Sequence, residues 1–233
     1  MKTLGVLGGM SWESTAVYYK LLNQGVAQRL GGLHSAALVM HSVDFAPIAE
    51  LQKAGDWAEA GRRLARAAAG LKAAGAEGLV LATNTMHKVA RVIEAEGGLP
   101  LLHIADATGA ALRAAGVRRA AFLGTRFSME DRDIVCGPIE QRHGVSTLVP
   151  DEADRALMHR VIYDELCRGV ISATSRDAVV ALIDRQRAAG AEAVILGCTE
   201  ITLLIDESCS PLPVFDSTSL HAAAAVQWML DER

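Results

Sequence analysis

The chain has 233 residues, 51% of them hydrophobic, with a formal net charge of −4 and positive mean hydropathy. That is enough apolar material for one large or two small domains without disulfide staples. The charges are spread out with no block of Lys or Arg, which argues against nucleic acid or an anionic membrane as partner, and no apolar stretch approaches the roughly 20 residues that cross a bilayer.

In chain order, the start MKTLGVLGGMSWEST goes directly into a strand pattern rather than a leader, and the expected location is the cytoplasm. Short apolar runs at 4–7, 36–40, 78–81, 99–104, 120–123, 194–196 and 212–215 predict strands. After the first run, GVLGGMS lacks the spacing of a dinucleotide or phosphate loop, and the better reading is a tight turn opening a helix at Ser11. In DWAEAGRRLARAAAGLKAAG, Trp57, Leu64 and Leu71 repeat every seven residues with Ala60, Ala67 and Ala68 on the same face. Asp56 with Glu59 predicts the start of that helix and Gly75 its stop, and Gly190 ends a second helix in the same way. Helices alternating with fully apolar strands imply open α/β layers with parallel strands covered on both faces.

Chemistry enters through an internal repeat. AAGAEGLVLATNT (73–85) aligns without gaps on AAGAEAVILGCTE (188–200), setting Gly75 on Gly190, Glu77 on Glu192 and Thr83 on Cys198 at an offset of 115. Looser matches pair LGVLGG with AAFLGT, and LPLLHIADATGAAL with LPVFDSTSLHAAAA, at nearly the same offset. The expected architecture is two similar Rossmann-like halves, residues 1–104 with 214–233 and residues 105–213, related by a pseudo-twofold axis. Ligands of such sheets sit beyond the carboxyl ends of the strands. Thr83 and Cys198 lie at such ends, and two groups facing one cleft from opposite sides suit removal of a proton from one face of a carbon and its return to the other.

GVLGGMSWEST at 5–15, FAPIAELQKAGDW at 45–57, ATNTMHK at 82–88 and LGCTEI at 196–201 together resemble the aspartate/glutamate racemase family, over essentially the whole chain. The resemblance implies a cofactor-independent amino-acid racemase with an acid/base residue in each half, commonly a homodimer. Cys198 matches one of the family's two cysteines; the other position holds Thr83, as in members that act chiefly on L-amino acids. A thiol can be poised as a base, whereas a Thr hydroxyl is far too weakly acidic to stand as an alkoxide, so a strongly handed enzyme is expected. The resemblance also places Met10 (through backbone amides), Asn84, Thr85, Thr125, Thr199 and Glu200 around the substrate's amino and carboxylate groups, and Gln52 at a distal carboxylate.

In IYDELCRG, Cys167 occupies the position taken as the usual basic partner of that carboxylate, with Arg168 beside it. L-Aspartate or L-glutamate is the expected substrate, with a neutral amino acid such as homoserine as the alternative. Hydantoin racemisation, maleate isomerisation, decarboxylation and a non-catalytic binding role are the other readings. His87 reads either as a group tuning the site or as a structural histidine. The remaining histidines lack metal-ligand spacing, no Lys suggests a pyridoxal Schiff base, and no metal or cofactor is expected. Cys136, Cys167 and Cys209 read as free packing or surface thiols, and Trp12, Trp57 and Trp228 as core or interface fillers.

Overall fold

The computed structural model of the chain describes residues 1–231. In chain order it forms β1 (Leu4–Gly8), α1 (Trp12–Leu30), β2 (Leu38–Ser42), α2 (Phe45–Ala54), α3 (Trp57–Ala73), β3 (Gly78–Leu81), α4 (Ala90–Gly97) and α5 (Ile104–Ala114). There follow β4 (Arg119–Leu123), α6 (Arg126–Glu130), α7 (Cys136–His143), β5 (Ser146–Leu148), α8 (Glu152–Arg160), α9 (Ala173–Ala188), β6 (Ala193–Leu196), β7 (Val214–Asp216) and α10 (Ser217–Leu230). These make two compact units, Met1–Ile104 with the chain from His221 onward, and Ala105–Leu220.

Each unit has its own parallel sheet, β2-β1-β3 in the first and β5-β4-β6-β7 in the second. In the first sheet side chains alternate between two cores, as strands covered on both faces must. Leu4, Val6 and Val80 meet Tyr18, Leu22 and Val26 of α1 and Ala225 and Val226 of α10. Leu7, Leu79 and Leu81 meet Leu64, Ala68 and Leu71 of α3 and Ile93 of α4. Leu64 and Leu71 are almost fully buried, each stabilising by about 1.5–3 kcal/mol relative to exposure. At the head of α3, Asp56 accepts from the Glu59 N–H at 3.0 Å. The reciprocal bond of a capping box is not formed. Glu59 pairs instead with Arg62 and Arg63, and the Asp56 N–H bonds the Leu51 carbonyl.

The repeat is visible in the hydrogen bonds. Gly75 and Gly190 both have φ of 96°, a conformation that favours glycine after a helix. Glu77 accepts from the Thr3 N–H at 2.9 Å, and Glu192 from the Arg118 N–H at 2.7 Å, so each carboxylate ties the approach to one strand to the start of its neighbour.

Two expectations are corrected, and one strand is additional to those expected. The run 99–104 is not a strand: only Leu101 bridges Leu79, and α5 starts at Ile104. The second boundary falls at 220/221 rather than 213/214, because β7 pairs with β6 (Val194 opposite Val214) and the Ser217 hydroxyl donates to the Leu196 carbonyl at 2.8 Å. Strand β5, Ser-Thr-Leu, has too little apolar character to be seen in the sequence. Among the described residues no helix is long and apolar enough to cross a membrane.

Candidate active site

In the first unit, three segments meet at the carboxyl ends of β1 and β3. The turn after β1 is tight: a Cβ on Gly9 would lie 2.2 Å from the Val43 carbonyl oxygen, and the Gly9 N–H donates to the Thr15 hydroxyl at 2.8 Å. Ser11 caps α1, accepting from the Ser14 N–H. The Met10 side chain is buried in the core beside Ile48 and Met86.

After β3, Ala82 donates to the Leu7 carbonyl, the chain leaves the sheet at Thr83, and a 3₁₀ turn runs over Thr85–Val89. Thr83 and Thr85 are half-buried and Asn84 is buried. Gln52, buried on α2, directs its amide nitrogen at the Met86 sulfur 2.8 Å away, a weak acceptor.

Beneath this tip lies a buried histidine network. His87 Nδ1 sits 2.9 Å from the Thr83 carbonyl and 3.3 Å from the Asn84 carbonyl, while Nε2 lies 3.2 Å from the Ile104 N–H. Carbonyls only accept and a backbone N–H only donates, so the proton is on Nδ1 and Nε2 accepts. His221 has the opposite tautomer: Nε2–H donates to the Leu102 carbonyl at 2.7 Å, and Nδ1 accepts from the Tyr18 hydroxyl at 2.8 Å. Burial, then the neighbouring His103 and His221, holds His87 well below the ordinary imidazole range. Burial pushes His221 down to about 4. Both rings are neutral at physiological pH. His87 is therefore a clamp on the Thr83–Asn84 backbone rather than a free base.

In the second unit, Gly197 donates to the Leu123 carbonyl and a Cβ on it would strike the Phe122 ring at 2.4 Å, so the chain entering Cys198 lies close against β4. The partly buried Cys198 thiol donates to Glu200 Oε2 at 2.8 Å, and the Thr199 hydroxyl donates to the same oxygen at 2.8 Å. Burial first, then the Glu200 carboxylate, raises the thiol well above its usual range. A π turn at Val161–Glu165 after α8 places Tyr163 nearby, where burial and the charges of Cys198, Cys167 and Glu200 push its phenol up to about 12. Thr125 is engaged as the cap of α6, accepting from the Ser128 N–H at 3.3 Å. Cys167 is exposed, and Arg168, also exposed, lies 3.8 Å from Asp164.

The structure thus gathers Gln52, Thr83, Asn84 and Thr85 at one tip and Cys198, Thr199 and Glu200 at the other, each in its own unit. Chemically, a thiol on a carboxylate can pass its proton and become a nucleophile or base, and a fixed hydroxyl can donate. The sequence reading missed Tyr163, whose approach to Cys198 depends on the π turn, and the Tyr18–His221 pair, 203 positions apart with no local signal.

Two α/β units, each with a parallel sheet and each ending a strand in a polar tip on the same backbone frame, define a class of enzymes built from one device used twice. The family follows: a model of the Asp/Glu/hydantoin racemases matches residues 7–225, and the chain belongs to that family as an enzyme of the amino-acid racemase type. A candidate Asp/Glu racemase from Yersinia pestis is 51% identical, with TM-score 0.94 over 99% of this chain and 100% of that one. An aspartate racemase homologue from Pyrococcus horikoshii is 29% identical, with TM-score 0.87 over 99% and 100%. The glutamate racemase of Aquifex pyrophilus, at 16% identity, TM-score 0.64, and 99% and 85% coverage, shares the fold.

Proposed function

We propose that the chain racemises an amino acid without a cofactor, with Cys198 and Thr83 acting on opposite faces of the α-carbon. The observation that carries this reading is the repeat: the position equivalent to Thr83 holds a thiol hydrogen-bonded to a carboxylate. Cys198 passes its proton to Glu200, and the thiolate takes the α-proton. The electron pair left on the α-carbon is stabilised through the substrate carboxylate by donors at the strand tips, for which Asn84, Thr85 and Thr199 and the backbone amides after Met10 are the candidates. On the other face the Thr83 hydroxyl gives its proton to carbon while taking one from a water, so that no alkoxide is left behind. The hydroxide left by that water takes the proton held by Glu200, and Cys198, having taken the substrate's proton, is already back in its starting thiol state.

The family supports aspartate or glutamate as substrate. A second reading, a small amino acid with a neutral side chain, is favoured by one observation. The charge acting most strongly on the Cys198 thiol is the negative Glu200 carboxylate, and the basic candidate Arg168 is exposed and beside Asp164. Free thiols fit a cytoplasmic setting.

The test is α-deuterium exchange over a panel of L- and D-amino acids, with Cys198→Ala as control. Exchange that starts much faster from one antipode and vanishes in the control is expected. Equal exchange from both antipodes would sink the handed mechanism, and saturable binding without exchange would favour a binding protein. Loss of a carbon–carbon bond or double-bond isomerisation, followed by NMR on candidate diacids, would move the reaction class.

A further inference from the structure

The second unit sets another thiol beside Cys198. Cys167 lies on the short 3₁₀ turn Leu166–Arg168, which follows directly on the π turn Val161–Glu165, and it packs against the 3₁₀ turn that starts at Thr199, the residue after Cys198. Both turns belong to the same compact unit. Burial and then Glu200 dominate at the Cys198 thiol, but Cys167 is also near enough to act on it electrostatically, as it does on the Tyr163 phenol. The other two cysteines are engaged elsewhere. Cys136 is buried with its thiol bonded to Thr147, and the Cys209 thiol donates to the Leu204 and Asp206 carbonyls of its own loop.

We infer that Cys167 and Cys198 are a redox pair: a peroxide joins them in a disulfide that blocks the thiol at the β6 tip, and small thiols reopen it. The bond itself stands apart from the racemase reading above, whereas its power to stop turnover rests on that reading. Exposure decides which sulfur reacts first. Cys167 is exposed and Cys198 only partly so, and the peroxide therefore meets Cys167. Its thiol loses a proton to water and the thiolate attacks one peroxide oxygen; the oxygen–oxygen bond breaks, hydroxide leaves with the electron pair and takes up that proton, and the sulfur is oxidised to a sulfenic acid. Cys198 then passes its proton to Glu200, already its partner at 2.8 Å, and the thiolate attacks the sulfenic sulfur. The sulfur–oxygen bond breaks as the sulfur–sulfur bond forms, and the departing hydroxide takes the Glu200 proton and leaves as water. Two thiols and one peroxide thus give one disulfide and two waters. The proton step that readies Cys198 to act on carbon also readies it to act on sulfur.

A disulfide needs Cα atoms about 4.4–6.8 Å apart, and the side with room to adjust is that of Cys167. Residues 167–170 are all exposed, with Leu166 as the buried anchor of their turn, whereas Gly197 is pressed against the Phe122 ring just before Cys198. π turns are frequent at functional sites. In a reducing compartment such a bond is transient, which makes it a switch rather than a staple.

The test treats the full chain with a small excess of hydrogen peroxide, quenches with an alkylating agent and maps tryptic peptides without reduction. Wild type is expected to lose the mass of two hydrogens and to yield residues 161–168 joined to residues 188–233, with fragmentation placing the link at Cys198 rather than Cys209. α-Deuterium exchange should fall to the level of Cys198→Ala and return with dithiothreitol. In Cys167→Ser the link cannot form, so Cys198 should be carried on to sulfinic acid, and the loss of exchange, taken against that variant's own untreated rate, should resist dithiothreitol. A wild-type map without the link, or with Cys167 joined to Cys209, would overturn the pair, as would equal recovery by dithiothreitol in Cys167→Ser. A link that forms while exchange continues would overturn the switch. The racemase reading fails differently: a link in a chain that exchanges no amino acid before treatment upholds the pair and removes the turnover it was to control.

Discussion

The tips of β3 and β6 are copies of one backbone device put to different uses. Both strands end in a polar residue followed by a 3₁₀ turn, and both are pinned to the first strand of their sheet by the same main-chain bond, Ala82 to Leu7 and Gly197 to Leu123. At β3 the polar group is a hydroxyl, and the structure beneath it is a set of neutral imidazoles that fix the backbone through carbonyls. At β6 it is a thiol in direct contact with a carboxylate. One tip is fixed by neutral rings, and the other sets a thiol against a carboxylate. A repeated frame can therefore carry two chemically different side chains, and the asymmetry resides in side chains while the main chain stays the same.

The largest expected effect comes from removing the ionising side. Cys198→Ala should lower α-proton exchange by on the order of 10⁴-fold, the upper range of general acid–base contributions, while substrate binding measured by calorimetry is retained. Loss of binding instead would show that Cys198 holds the fold of the tip.

Next is its partner. Glu200→Gln leaves a group that still hydrogen-bonds but neither accepts the proton nor repels a thiolate. Because the carboxylate raises the thiol, the pH midpoint of Cys198 alkylation should move down in this variant, while exchange at neutral pH falls by on the order of 10²-fold. A thiol that ionises more easily in a slower enzyme would separate proton acceptance from simple charge. If exchange were instead to rise with the falling midpoint, Glu200 would be only a brake on the thiol.

Making the tips alike should have a smaller effect of opposite sign. Thr83→Cys supplies a group able to remove a proton from the second face, and exchange from the slower antipode should rise by about tenfold or more. No gain would mean that Thr83 does not lie opposite Cys198.

How much of this contrast was legible in the sequence depends on distance along the chain. The two tips, their offset, the helix stops at Gly75 and Gly190 and the cap at Asp56 all follow from patterns within about a dozen residues, where main-chain geometry dictates residue type. The run 99–104 misled because LPLLHI has the composition of a strand, yet the chain makes one bridge and then turns into a helix. What separates the tips chemically was hidden for a different reason. The clamp under Thr83 joins Tyr18, His87, Leu102, Ile104 and His221, and the phenol of Tyr163, which feels the charges at Cys198 and Glu200, sits on a π turn. Neither leaves a periodic or local trace.

That clamp gives the mildest prediction and the one that tests the positioning side of the comparison. His221 has an ordinary value of 6.5 and is held at about 4 in the folded chain, chiefly by burial. The unfolded chain therefore binds a proton in a range where the folded chain does not, and stability must fall as pH falls from about 6.5 to about 4. At about 1.4 kcal/mol per pH unit, this one ring makes the fold roughly 3 kcal/mol weaker at the bottom of that range, and His87 acts in the same direction. Urea unfolding at a series of pH values should show this slope in wild type and a shallower one in His221→Gln, which has no proton to gain. Since His221 holds Leu102 and its ring lies 5.7 Å from that of His87, the same acid range should loosen the Thr83 tip before the Cys198 tip. Amide exchange by mass spectrometry should then show protection lost first at residues 83–87, and simultaneous loss at 198–203 would mean that the histidines support the whole fold and not one tip of it.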